Sequence, residues 1–116
     1  MQRWNLREIE TPAGRRSPVV LHSGEEARAV LVTLEPGEEL GVHQVKENAF
    51  VAPVEGTLRI ETGGEAFEAG VGELVAFAPD ERHSISSAAG ARLLMFLAPW
   101  PGEGHFRGEE LALGGP

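Results

Sequence analysis

The stretch GEELGVHQVKENAFVAPVEG, residues 37–56, decides the fold of this chain. It opens on Pro36-Gly37 and closes on Glu55-Gly56, both of which are turn signals. Val42, Ala49, Phe50 and Val51 lie between them, with polar Gln44, Lys46, Glu47 and Asn48 in the middle. Two short apolar arms bounded by glycine turns make a β-hairpin, and the first arm carries His43.

Working outward, the same punctuation continues on both sides. Residues 19–21, 27–34, 57–61, 65–68, 73–78, 83–87 and 91–98 are short runs rich in Val, Leu, Ile or Phe, separated by Gly, Pro, Ser or Asp. The Gly63-Gly64 pair supplies the positive φ angles that a tight hairpin needs. No segment shows a helical period with caps, so the pattern is that of an all-β sandwich or barrel. Residues 1–18 are expected to form an N-terminal strand and loop around Trp4, Leu6 and Ile9, and residues 99–116 a Gly- and Pro-rich tail. Residues 93–97 are apolar on both faces of their strand, so each face needs a cover. A partner subunit or the N-terminal segment with Trp4 would provide it.

A length of 116 residues suits one domain with a real core, here expected over the whole chain. The net charge of −8 disfavours nucleic acid, which needs clustered Lys and Arg over its phosphates. The absence of cysteine rules out disulfides and thiolate chemistry, and fits the cytoplasm. No apolar run is long enough to cross a bilayer, and residues 1–10 lack the apolar core of a signal peptide. No Gly-x-Ser-x-Gly elbow stands near Ser84, Ser86 or Ser87, and no glycine-rich phosphate loop precedes a helix.

The spacing from Gly37 through five residues to His43, and on to Gly56, resembles the first motif of the cupin family. That motif runs Gly, five residues, His-x-His, three or four residues, Glu, six residues, Gly. Gly72 and His83 resemble the second motif, with Ala78, Asp80 and Ser87 departing from it and Pro79 displaced by one place. The resemblance implies a double-stranded β-helix, or jelly-roll barrel. Its site lies in the barrel mouth and commonly holds a divalent metal through three His and one Glu. Carried over residue by residue, those ligands are His43 and His83 alone. Val45 takes the second histidine's place, and the glutamate's place falls on Ala49 or Phe50. The metal motif is therefore degenerate.

Two imidazoles alone hold a divalent ion weakly, since iron and zinc sites need at least three protein ligands. Glu47 or His105 would complete the set if the turn at residues 46–48 swung the carboxylate inward, or if the tail folded over the mouth. Otherwise Glu47 is a solvated turn residue and His105 a surface one, as Glu81 and His22 are read to be. Val45, Phe50, Val54, Phe77, Ile85 and Phe96 are expected to line the inside. The resulting expectation is a homodimeric, cytoplasmic cupin binding a small molecule near His43, His83, Phe50 and Gln44. It would hold no cofactor or a weakly bound divalent metal, and engage neither nucleic acid nor membrane. The alternative is a metal-dependent oxygenase, isomerase or decarboxylase with a rearranged site; catalytic residues are not assigned.

Overall fold

Alternation along the strands decides which side chains enter the core. The computed structural model describes residues 1–11, 18–40 and 45–102. Among them run β1 (Val19–Ser23), β2 (Arg28–Leu34), β3 (Asn48–Gly56) and β4 (Leu58–Thr62). They are followed by β5 (Glu65–Ala69), β6 (Val75–Phe77), β7 (His83–Ser86) and β8 (Ala91–Ala98). One sheet has the order β1-β2-β8-β3-β6 and the other β5-β4-β7, with every pairing antiparallel. Residues 37–40 run beside β7: Glu39 bridges Ser86, and Leu40 N–H donates to the Ile85 carbonyl. This is an all-β jelly-roll barrel: the strand punctuation implied the all-β class, and the family resemblance implied the jelly roll. No helix of the described residues is long and apolar enough to cross a membrane.

The inner faces meet in one apolar cluster. Val30, Val32 and Leu34 come from β2, Ala49 and Val51 from β3, and Leu93, Met95 and Leu97 from β8. Leu58, Ile60, Phe77 and Ile85 join them from the other strands. Each fully buried Leu or Ile contributes about 1.5–3 kcal/mol by leaving water. The β4–β5 hairpin turns on Gly63 and Gly64, both at positive φ (56° and 82°), the conformation a two-residue hairpin of right-handed twist demands. Gly56, at φ 77°, packs so tightly that a Cβ there would stand 2.5 Å from the Gly90 carbonyl oxygen. No side chain fits.

Residues 37–56 do not fold as one hairpin: residues 37–40 pair with β7 in the smaller sheet, whereas β3 pairs with β6 and β8 in the larger one. Residues 1–11 contain no strand: Asn5 accepts from Arg7 N–H through Oδ1 and from Glu8 N–H through its carbonyl, so the segment turns instead. Asparagine favours such side-chain-closed turns over extended backbone. The segment still docks on the larger sheet, because Arg92 Nη1 donates to the Leu6 carbonyl at 2.8 Å and Arg7 Nε to that of Val54 at 3.3 Å. Phe50 and Phe96 do not line the interior either. They pair across β3 and β8 on the outer face, where Phe96 remains 39% exposed. Ala49 and Val51 already hold the inward positions of β3, so alternation turns Phe50 out. Val54 is half-buried beside a break in the β3–β8 register and lies outside the core cluster. Phe77 and Ile85 are inside, and Val45 packs half-buried against the core.

Candidate functional site

Strand register assembles one end of the barrel from residues far apart in sequence. Arg28 pairs with Leu97, Leu97 with Ala49, and Ala49 with Phe77, making a continuous rung across the inner face of the larger sheet. His83, the first residue of β7, closes the rung from the other sheet. Its ring stacks on Phe77 with centroids 3.9 Å apart and planes at 8°. The sequence-predicted His83 is thus inside, only 2% exposed.

A fixed tautomer follows from one contact. His83 Nδ1 lies 3.1 Å from the Glu81 carbonyl oxygen, which can only accept. In the neutral ring Nδ1 therefore carries the hydrogen and Nε2 the lone pair. Burial holds the imidazole below its ordinary value of 6.5, against smaller raising effects from that hydrogen bond and the Glu81 charge. At neutral pH the group is an uncharged acceptor. Glu81 is no idle surface residue: its carboxylate accepts from Ala78 N–H at 2.9 Å, and its other oxygen stands 3.1 Å from Thr62 Oγ1. It thereby shapes the turn that presents His83. Beyond it, Asp80 adopts φ 65°, a left-handed conformation aspartate tolerates, and pairs with exposed Lys46 at 2.8 Å.

Glu47 is where local reading failed most. It is fully buried, two residues before Ala49, with exposed Asn48 between them, so Glu47 and Ala49 share the inward face. Its Oε2 accepts from Gly102 N–H at 2.7 Å. Residues 99–102 make that possible by crossing this end as a strap: Trp100 N–H donates to the Glu25 carbonyl at 3.2 Å, and its ring packs on the core. The Arg28 guanidinium carbon sits 4.5 Å from the Trp100 ring centroid. Strap and carboxylate are 55 positions apart, so no pattern within the turn announces the contact.

His43, Gln44 and His105 lie outside the described residues. The described chain flanks the first two closely, since Leu40 is bonded to Ile85 and the Val45 carbonyl accepts from Asp80 N–H at 2.7 Å. His22 lies on the surface of β1, 3.3 Å from Glu26 Oε2, and pairs with Ala29, next to Arg28. A cleft of about 200 Å³ opens beside His83, lined by Glu61, Thr62, Gly63, Gly64, Arg82 and Ser84. A larger one, about 570 Å³, lies at the opposite end between the Gly37, Gly56 and Gly90 turns.

A metal of the kind the resemblance implies finds a poor donor set in what is described. Ala49 offers a buried methyl, Val45 packs on the core, and Phe50 faces outward. Among the described residues no three His, Asp or Glu side chains are grouped to hold an ion.

Comparison with known proteins bears on the fold. A cupin-domain family profile matches residues 30–98. The structure is similar to an RmlC-like cupin from Desulfovibrio desulfuricans, at 22% identity over 85% of this chain and 97% of that one, with TM-score 0.76. It is also similar to a protein from Thermus thermophilus, at 23% identity over 85% and 98% of the two chains, with TM-score 0.74. A Streptococcus pyogenes protein of unknown function gives 16% identity over 84% and 86%, with TM-score 0.73. Identities this low show a shared fold. No curated protein matches the chain.

Proposed function

The chain belongs to the cupin family, and from that premise we propose that it binds a small molecule at the barrel end that carries His83. The observation that carries the reading is the state of His83: buried, stacked on Phe77, and tied through Nδ1 to a carbonyl, so that Nε2 is an acceptor at neutral pH. A buried imidazole with a set tautomer suits recognition of a ligand hydroxyl or amide. The sequence motif adds His43 and Gln44 to the proposed site, although they lie outside the described residues. Glu47, covered by the strap, supplies a second polar group at the same end. Ala49, Val45 and the outward Phe50 support ligand binding without a tightly held ion.

In this reading the protein acts in the cytoplasm as a homodimer; the apolar Phe50–Phe96 pair on the outer face, with Phe96 39% exposed, supports the homodimer. The test of ligand binding follows the His83 ring resonances by NMR while a fragment library is titrated in. Saturable shifts at His83 are expected. Shifts confined to the Gly37–Gly56–Gly90 cleft would place the site elsewhere and refute the proposal.

A second reading, a metal-dependent oxygenase, isomerase or decarboxylase, draws on Glu47, whose buried carboxylate faces inward where the sequence suggested a solvated turn. It requires that Fe(II), Mn(II), Ni(II) or Zn(II) raise the melting temperature, since an ion bound to the folded state alone stabilises it. No shift with any of them removes it.

A further inference from the structure

We infer that Arg28 is the anion anchor of this barrel end and that the ligand it holds carries a carboxylate; the inference rests on the reading of the His83 end as a ligand site. Arg28 opens β2 on the face of Val30 and Val32, so its half-buried side chain rises from the inward face at this end of the barrel. It makes no ion pair among the described residues. Its Nε is buried and meets no hydrogen-bond acceptor there. Trp100 does not satisfy that donor. The ring lies over the guanidinium, whereas Nε–H and the neighbouring Nη–H point outward in the guanidinium plane.

A buried N–H without an acceptor is costly even where the rest of its group reaches solvent. Structures retain such a group where something else completes it. A carboxylate does so by geometry: its two oxygens match Nε–H and one Nη–H as a parallel fork. The Trp100 ring then shields the pair from water on one side. Across the rung, the main chains of Arg28 and Phe77 stand three strand spacings apart, roughly 14 Å. An extended arginine and a small organic acid together span that gap to the His83 side of the barrel end. The net charge of −8 disfavours a doubly charged group such as phosphate more than a singly charged carboxylate.

The test uses the full chain and four probes: lactate, its uncharged counterpart lactamide, succinate and inorganic phosphate. NMR follows the Arg28 Nε–H signal and the His83 ring signals in each titration. Lactate is expected to move both saturably and to bind about tenfold more tightly than lactamide. Arg28→Lys, which keeps the charge and loses the fork, is expected to weaken lactate about fivefold. Arg28→Met should erase the preference for acid over amide. Equal binding of lactate and lactamide, or a preference that survives Arg28→Met, overturns the anchor. Silence at Arg28 with all four probes does the same, and phosphate binding tighter than both carboxylates overturns the ligand class. Movement at His83 alike for acid and amide, with Arg28 still, refutes the anchor alone. The converse pattern refutes the His83 site alone.

Discussion

Replacing Gly102 with alanine should open the strap while leaving the barrel folded. A Cβ at this buried position would stand 2.6 Å from the Lys46 carbonyl oxygen and 3.1 Å from Glu47 N, both main-chain atoms that cannot swing aside. Relief to an ordinary 3.4 Å contact moves the strap by about 0.8 Å, enough to stretch the 2.7 Å bond from Gly102 N–H to Glu47 Oε2 to about 3.5 Å. A hydrogen bond to a charged group contributes about 1.5–3 kcal/mol. Its loss should accelerate exchange of the residue-102 amide by roughly 10- to 100-fold, since each 1.4 kcal/mol is a factor of ten. Trp100 should redden and quench more readily with iodide, best seen in a Trp4→Phe background because the chain has two tryptophans. The core amides of β3 and β8 should exchange as in the parent. An unchanged residue-102 amide, or loss of protection throughout the barrel, would refute this account of the strap.

Two further outcomes follow from the same geometry. Because His83 titrates below its ordinary value of 6.5 in the folded protein, the unfolded chain takes up that proton first as pH falls. The stability it contributes is complete above about 6.5 and declines below it until the folded ring also protonates. Urea unfolding between pH 7.5 and 5 should show this decline, and His83→Phe should flatten it; an identical slope in both proteins would contradict the assignment. Phe96→Glu should turn a dimer into a monomer in sedimentation velocity at a cost of less than about 1 kcal/mol to the monomer fold, because the side chain is 39% exposed. A parent already monomeric at high concentration, or a variant that stays dimeric, would refute the proposed interface.

The strands were legible because they depend on local alternation and on glycine turns. Residues 91–98 and the Gly63-Gly64 hairpin fell where composition placed them. What remained hidden depended on pairings between distant segments. Hydrophobic size suggested that Phe50 faces inward, yet the β3 register on β6 and β8 gives the interior to Ala49 and Val51. Glu47 looked like a turn residue because the strap that buries it arrives from residue 102. Arg28 showed no sign of its role, since burial of Nε requires both the barrel end and Trp100. His83 was found by its spacing from Gly72, while its tautomer came from the Glu81 turn.

Elemental analysis of protein purified without chelators or immobilised nickel tests the central claim most directly. With a buried methyl at Ala49, Val45 on the core and Phe50 turned outward, bound transition metal should fall well below one equivalent per chain and leave on simple dialysis. One tightly retained ion per chain would contradict the reading and return the site to metal chemistry.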